Sequence, residues 1–174
     1  SGFTTLSVSL TDSESLAILN DLVSGFDDAA DLHGIEKIKT NGDSYLAVCG
    51  LSAPYLDHDK RAIDFAIEMV AIVRRFNLER GLQLGIQIGI NSGDIVAGIV
   101  GKSKVIYDVW GDTVNHAVAL KDTCPPGTIV VSQTVHHRLE DLYQFEELSG
   151  GNNRQTADIK AWRLKSNLIP INLE

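Results

Sequence analysis

Cysteine is scarce in this chain. Cys49 and Cys124 are the only two among 174 residues, too few for a disulfide framework, so a reducing, cytoplasmic setting is expected. Long apolar runs are also missing. Residues 95–100, Ile-Val-Ala-Gly-Ile-Val, typify the longest and fall far short of the roughly 18 residues that a membrane span requires. No membrane contact is therefore expected from this segment. Basic charge is in short supply: 15 Lys and Arg stand against 23 Asp and Glu, a formal charge of -8. That balance argues against a nucleic-acid binder, which needs a basic stripe to meet phosphates. It leaves room for a nucleotide, because a small site needs only local charge and a metal. No internal repeat, low-complexity tract, linker or signal peptide is visible in these residues. The chain opens abruptly at Ser1-Gly2-Phe3-Thr4 and reads as a piece of something longer, whose remainder is free to carry an anchor.

What is present is ordinary for a globular domain, with 44% hydrophobic and 22% charged residues. The length suits a single domain with its own core. Thr11-Asp12-Ser13-Glu14 fits a capping box, and Leu16, Leu19, Leu22, Val23, Phe26 and Ala29 recur at helical spacing up to Gly34. Strand-like runs at 35–40 and 44–49 are joined through Asn41-Gly42, a strong hairpin signal. A second helix is expected over about 59–77. Residues 82–90 alternate apolar and small or polar side chains, which predicts one long half-buried strand. Two further strands follow, turning at 92–94 and at 102–104, and a short helix begins near Asp112. A strand at 128–131, a helix capped by Ser132, a strand at 143–148 and a last strand at 161–165 complete the order. The class is α+β, a mostly antiparallel sheet with helices packed on one side.

Lys39 and Asp43 flank the tip of the expected Asn-Gly hairpin, which brings an ammonium and a carboxylate close together. A carboxylate on a rigid hairpin suits Mg²⁺, which prefers one or two carboxylates plus substrate phosphates; an incidental surface ion pair fits the same residues. Asp108 ends an apolar strand before Val109-Trp110-Gly111, where an acid is able to point into a cleft or simply meet solvent. Asn115 lies in the following helix, although asparagine is a mediocre helix former. It is placed either to bond locally or to reach a phosphate oxygen. Gly101-Lys102-Ser103 imitates the tail of a phosphate-cradling loop, but Val96 stands where such a loop needs glycine, and a strand follows. His33, His58, His116, His136 and His137 show no metal-ligand spacing.

Three segments together resemble the class III adenylyl and guanylyl cyclases: Glu36-Lys37-Ile38-Lys39-Thr40 with Gly42-Asp43, Ile88-Gly89-Ile90-Asn91-Ser92-Gly93 with Ala97-Gly98, and Tyr107 through Asn115. The resemblance implies a ferredoxin-like, palm-type fold over 1–174. It implies an enzyme joining the ribose 3′-oxygen of a nucleoside triphosphate to its own α-phosphate, with release of pyrophosphate. It also implies two ions, Mg²⁺ or Mn²⁺, per site, and a second cyclase domain, identical or not, that completes the site. Asp43 then falls on a metal-aspartate position, Lys39 and Asp108 on the base-reading positions in their adenine-type pairing, and Asn115 on the transition-state asparagine. The implied substrate is ATP, the product cyclic AMP and the setting signal transduction.

The resemblance is incomplete. Its other metal aspartate is expected in a first strand just before Ser1, which this chain lacks. Ala119, one turn after Asn115, stands where active members carry an arginine. Of the lysine-rich loop for the terminal phosphates only Arg154 is cationic, a weak candidate for a triphosphate contact. Two readings follow: an adenylate cyclase domain, or a weakly active or inactive cyclase-homology domain that binds nucleotide or serves as a dimerisation partner. A diguanylate-type synthase would want a Gly-Gly-acid-acid-Phe turn, which Asn41-Gly42-Asp43-Ser44-Tyr45 is not.

Overall fold

The computed structural model describes residues 11–103, 105–148 and 160–165. Helix α1, Asp12–His33, starts at the expected capping box. The Thr11 side chain accepts from the Glu14 amide while the Glu14 carboxylate accepts from the Thr11 amide, so two otherwise orphan donors are satisfied. It stops at Gly34, whose φ of 68° is a left-handed cap that a side chain would strain. Strands β1, Glu36–Asn41, and β2, Ser44–Val48, pair antiparallel. Helix α2, His58–Arg80, packs on α1, burying Phe65, Met69 and Val73 against Leu22, Phe26 and Ala29.

The turn between β1 and β2 differs from the expectation by one residue. Asn41 pairs with Ser44, so Gly42 and Asp43 form the two-residue loop and Asn41 belongs to the strand. Gly42 has φ 58°, and among the described residues only glycines have positive φ. A left-handed first loop residue followed by one with negative φ is the sign pattern of a type II′ turn.

Strand β3, Gln87–Ile90, is shorter than the alternation of 82–90 predicts. The reason lies in Asn77 on α2. Its side-chain amide donates to the Leu84 carbonyl and accepts from the Leu84 amide, at 2.8 and 2.9 Å. Residues 82–86 are thereby tied to a helix rather than to a ladder, while Leu82, Leu84 and Ile86 still face the core.

Beyond β3 come the hairpin of β4, Val96–Val100, and β5, Ile106–Trp110, then helix α3, Asp112–Thr123, strand β6, Thr128–Ser132, helix α4, Gln133–Leu139, strand β7, Phe145–Leu148, and strand β8, Ala161–Leu164. The strands form a β1–β2 hairpin, a β4–β5 hairpin and a four-stranded sheet in the order β3-β6-β8-β7. Among the described residues only the β3–β6 pair is parallel; the other pairings are antiparallel. The α+β class and the mostly antiparallel pairing therefore agree with the sequence pattern. Ser132 caps α4, as expected, by accepting from the Val135 amide.

Strand β6 organises the core. Successive side chains of a strand point to opposite faces, so Ile129 and Val131 pack with Ile63, Ala66 and Val70 of α2 and Val135 and Leu139 of α4. Val130 points the other way, against Leu120 of α3 and Cys124. The one-sided helix layer thus holds for α2 and α4, while α3 covers the opposite face. Gly89 of β3 permits that covering: a Cβ there would lie 2.2 Å from the Ala117 carbonyl oxygen and 2.4 Å from the Lys121 amide nitrogen. Helix α3 consequently rests directly on the strand backbone. Among the described residues no helix is long and apolar enough to cross a membrane.

Candidate functional site

Lys37 and Lys39 are two residues apart, so regular alternation would place both on one face of β1. A bulge intervenes. Lys37 pairs with Ala47 and Lys39 with Leu46, leaving Ile38 as an extra residue. A bulge re-aims the side chains around it, and the two lysines do find different partners. Lys37 donates to Asp27 on α1 at 2.7 Å. Lys39 reaches across to β5 and donates to the Asp108 carboxylate.

The other oxygen of Asp108 accepts from the Val109 amide at 2.8 Å. The Lys39 ammonium, helped by that amide, holds the Asp108 carboxyl below the usual aspartate range. Opposite Asp108 on β4 stands Gly98, which leaves the carboxylate no side-chain neighbour across the ladder. Lys39 and Asp108 come from distant parts of the sequence, and the fold brings them into contact. The expected proximity of Lys39 and Asp43 is replaced by this pair. Asp43 sits in the turn itself, exposed, and Lys39 faces the other hairpin.

Asn115 projects from the first turns of α3. It is exposed, and among the described residues its side chain makes no hydrogen bond, so the local-bond alternative is not what the fold uses. Ala119 follows one turn later, half-buried. Arg154 lies outside the described residues. Gly101-Lys102-Ser103 links two strands, as expected of a segment that is not a phosphate loop.

A cavity of about 820 Å³ is walled by β2, β3, α2 and the first turn of α3. Asp43, Ser92, Thr113 and Arg138 are among its polar lining, whereas Lys39, Asp108 and Asn115 do not line it. Among the described residues no three of His, Cys, Asp and Glu converge on a point. A nucleotide-borne Mg²⁺ asks less than that, since phosphates supply most of its ligands. Asp43, an exposed carboxylate on a tight turn, fits that limited role.

Chain-wide comparison decides what this arrangement belongs to. The family described as the adenylate and guanylate cyclase catalytic domain matches residues 1–166. The chain belongs to that family. An adenylate cyclase of Mycobacterium tuberculosis is 36% identical over 163 residues, which are 94% of this chain and 37% of that protein. A receptor-type guanylate cyclase of Caenorhabditis elegans is 36% identical over 135 residues, 76% of this chain and 13% of that protein. The cyclase domain described here thus spans well under half the length of these relatives. Among solved structures, the guanylate cyclase domain of RhGC from Catenaria anguillulae, in complex with GTP, superposes with a TM-score of 0.88 at 28% identity, covering 95% of this chain and 91% of that one.

One polar cluster escaped the sequence reading. Arg138 of α4 donates to Asp59 at 2.8 Å and to Ser92 at 3.1 Å, and His58 lies 3.2 Å from the same Ser92 hydroxyl. No local pattern could have united positions 58, 92 and 138. The only hint was that Ser92 falls within the Ile88 to Gly93 motif.

Proposed function

We propose that this cyclase domain converts ATP to 3′,5′-cyclic AMP and pyrophosphate. The observation that carries the reading is the Lys39–Asp108 pair. Adenine offers a 6-amino donor beside a ring-nitrogen acceptor. A carboxylate held ionised accepts from the first and an ammonium donates to the second, so the pair is complementary to adenine. Guanine presents the opposite polarity at its 6-position and would leave Asp108 facing a carbonyl oxygen. Relatives of both base specificities match this chain, so the base assignment stands on these two side chains.

The remaining roles follow by position. Asn115 orients the ribose and the reacting phosphate, and Arg154 contacts the triphosphate. Asp43 is the residue that would hold Mg²⁺ or Mn²⁺, two of which would supply activation of the attacking oxygen and charge neutralisation at the departing phosphates. A second cyclase domain, identical or related, completes the site. The support for an association surface is the β4–β5 hairpin. Val96, Val100, Ile106 and Trp110 on one of its faces and Ile99 and Tyr107 on the other are all exposed, apolar area of the kind that marks a binding surface. In this reading residues 1–174 act as one cytoplasmic catalytic domain of a signalling protein.

The test is formation of labelled cyclic product from ATP and from GTP by the chain extended through the first strand and its metal aspartate, with Mg²⁺ and with Mn²⁺, over a range of protein concentrations. Turnover of ATP above the metal-only background is expected, and Lys39→Glu should lose most ATP selectivity. Unchanged selectivity in that variant would refute the base assignment. The alternative, a weakly active or non-catalytic partner domain, is favoured by Ala119. Preorganised cationic donors at a developing oxyanion typically contribute about 10²–10³ in rate, and Ala119→Arg should recover part of that factor if the missing arginine limits the chemistry.

A further inference from the structure

Asn115 is exposed and its side chain is unsupported among the described residues. Its position is therefore set by the backbone of the first turn of α3. That turn has no side-chain cap of its own: the N-cap is Gly111, with φ 131°. Its ties run instead to the loop between β3 and β4. The Thr113 hydroxyl donates to the Asp94 carbonyl at 2.7 Å, and the Asn91 side chain donates to the Thr113 carbonyl at 3.0 Å. The approach is close enough that a Cβ on Gly93 would lie 2.7 Å from the Thr113 hydroxyl oxygen. Loop and helix start thus behave as one piece.

The loop is anchored in turn. Ser92 accepts from Arg138, which also pairs with Asp59 on α2. The Asp59 side chain is only 9% exposed while that of Arg138 is 50% exposed, so the pair is buried at its carboxylate end and open to water at its guanidinium end. His58 completes the corner. Its Nδ1 lies 2.8 Å from the Tyr55 carbonyl, an obligate acceptor, so Nδ1 carries the proton and Nε2 is placed to accept from Ser92 at 3.2 Å.

We infer that Thr113 and Arg138 are positioning residues for Asn115. They splint residues 91–94 between the α2–α4 corner and the first turn of α3, and so fix where the Asn115 amide meets the reacting phosphate. The inference rests on the cyclase reading of Asn115. Neither residue touches substrate; each acts through the loop. Misplacement of a positioned group by about 1 Å is enough to cost up to 10²-fold in rate.

In the chain extended through the first strand and its metal aspartate, the experiment compares Thr113→Val, Thr113→Ser, Arg138→Met and Arg138→Lys with the parent, in steady-state kinetics with ATP and in thermal melts. Thr113→Val should lower kcat about tenfold and leave KM within about twofold, because the groups read as contacting the base lie elsewhere. Thr113→Ser should restore most of the loss, and Arg138→Met should act in the same direction. If Thr113→Val melts lower yet keeps its kcat well below the melting temperature, the splint is structural only and the inference falls. Loss of the Asp59 partner is able to unfold Arg138→Met, and in that case the Thr113 pair decides. Absence of cyclic product from the extended chain without substitutions would instead sink the cyclase reading. The positioning claim then stands or falls on amide hydrogen exchange. Thr113→Val should speed exchange at residues 114–116 about tenfold without moving that of β6, and equal exchange overturns it.

Discussion

Strand β6, Thr-Ile-Val-Val-Ser, and strand β4, Val-Ala-Gly-Ile-Val, draw on the same β-branched vocabulary. Yet Val130 and Val131 are 0% exposed, whereas Val96 and Ile99 are 67% and 69% exposed. Composition does not separate them; neighbours do. Strand β6 is paired on both edges, with β3 and β8, and covered on both faces, by α2 and α4 on one and α3 on the other. Among the described residues strand β4 has a single partner, β5, and its apolar side chains stand exposed on both faces. One set of apolar residues holds the chain together, and the other is available to hold something else.

The sharpest way to break the covered region is at Gly89. A methyl group there meets backbone atoms of α3, at 2.2 and 2.4 Å, rather than a side chain able to swing away. Gly89→Ala should therefore destabilise the domain by about 3 kcal/mol or more, at the upper end of overpacking. Urea unfolding measures it, and a loss below about 1 kcal/mol would mean that α3 does not rest on β3 as described.

Next in size is a matched pair. Val131→Ala removes two methyl groups from a site with no room to collapse, and should cost about 2 kcal/mol. Ile99→Ala deletes more carbon from a side chain that is largely in water, and should change the same unfolding free energy by less than about 0.5 kcal/mol. Ile99→Lys should leave monomer stability equally untouched while weakening self-association, read by sedimentation at several concentrations. Equal destabilisation by the two alanine variants would erase the distinction between core and surface strand.

The legibility of the sequence followed the range of the interactions. The Thr11–Glu14 capping box, the Gly34 stop and the Ser132 cap are settled within a few residues, and each stands where its motif places it. Lys39, Asp43, Asp108 and Asn115 were readable as family motif positions. What Lys39 contacts was not, because a one-residue bulge at Ile38 turns it from its own hairpin towards β5. The short β3 was hidden for a similar reason. The apolar alternation of 82–90 is real, but Asn77, in the preceding helix, captures Leu84. The Arg138 corner joins residues up to 80 positions apart, which no window of sequence brings into view.

The smallest effect concerns what ties the open hairpin to the rest. Strand β5 has little burial to hold it apart from Val109, and the Lys39–Asp108 pair links it to β1. Because the Lys39 ammonium, followed by the Val109 amide, lowers the Asp108 carboxyl, the folded chain holds that carboxylate more tightly than the unfolded chain does. The sign follows directly. The contribution is fully present above the ordinary aspartate range near about 3.9 and is lost as pH falls through the lower folded value. Lys39→Met removes the first of the two causes and leaves the second. Titration of the Asp108 carboxyl carbon by NMR should therefore move upward towards the ordinary value. An unmoved Asp108 would mean that the hairpin is positioned by its backbone alone and that the ion pair contributes nothing to holding it.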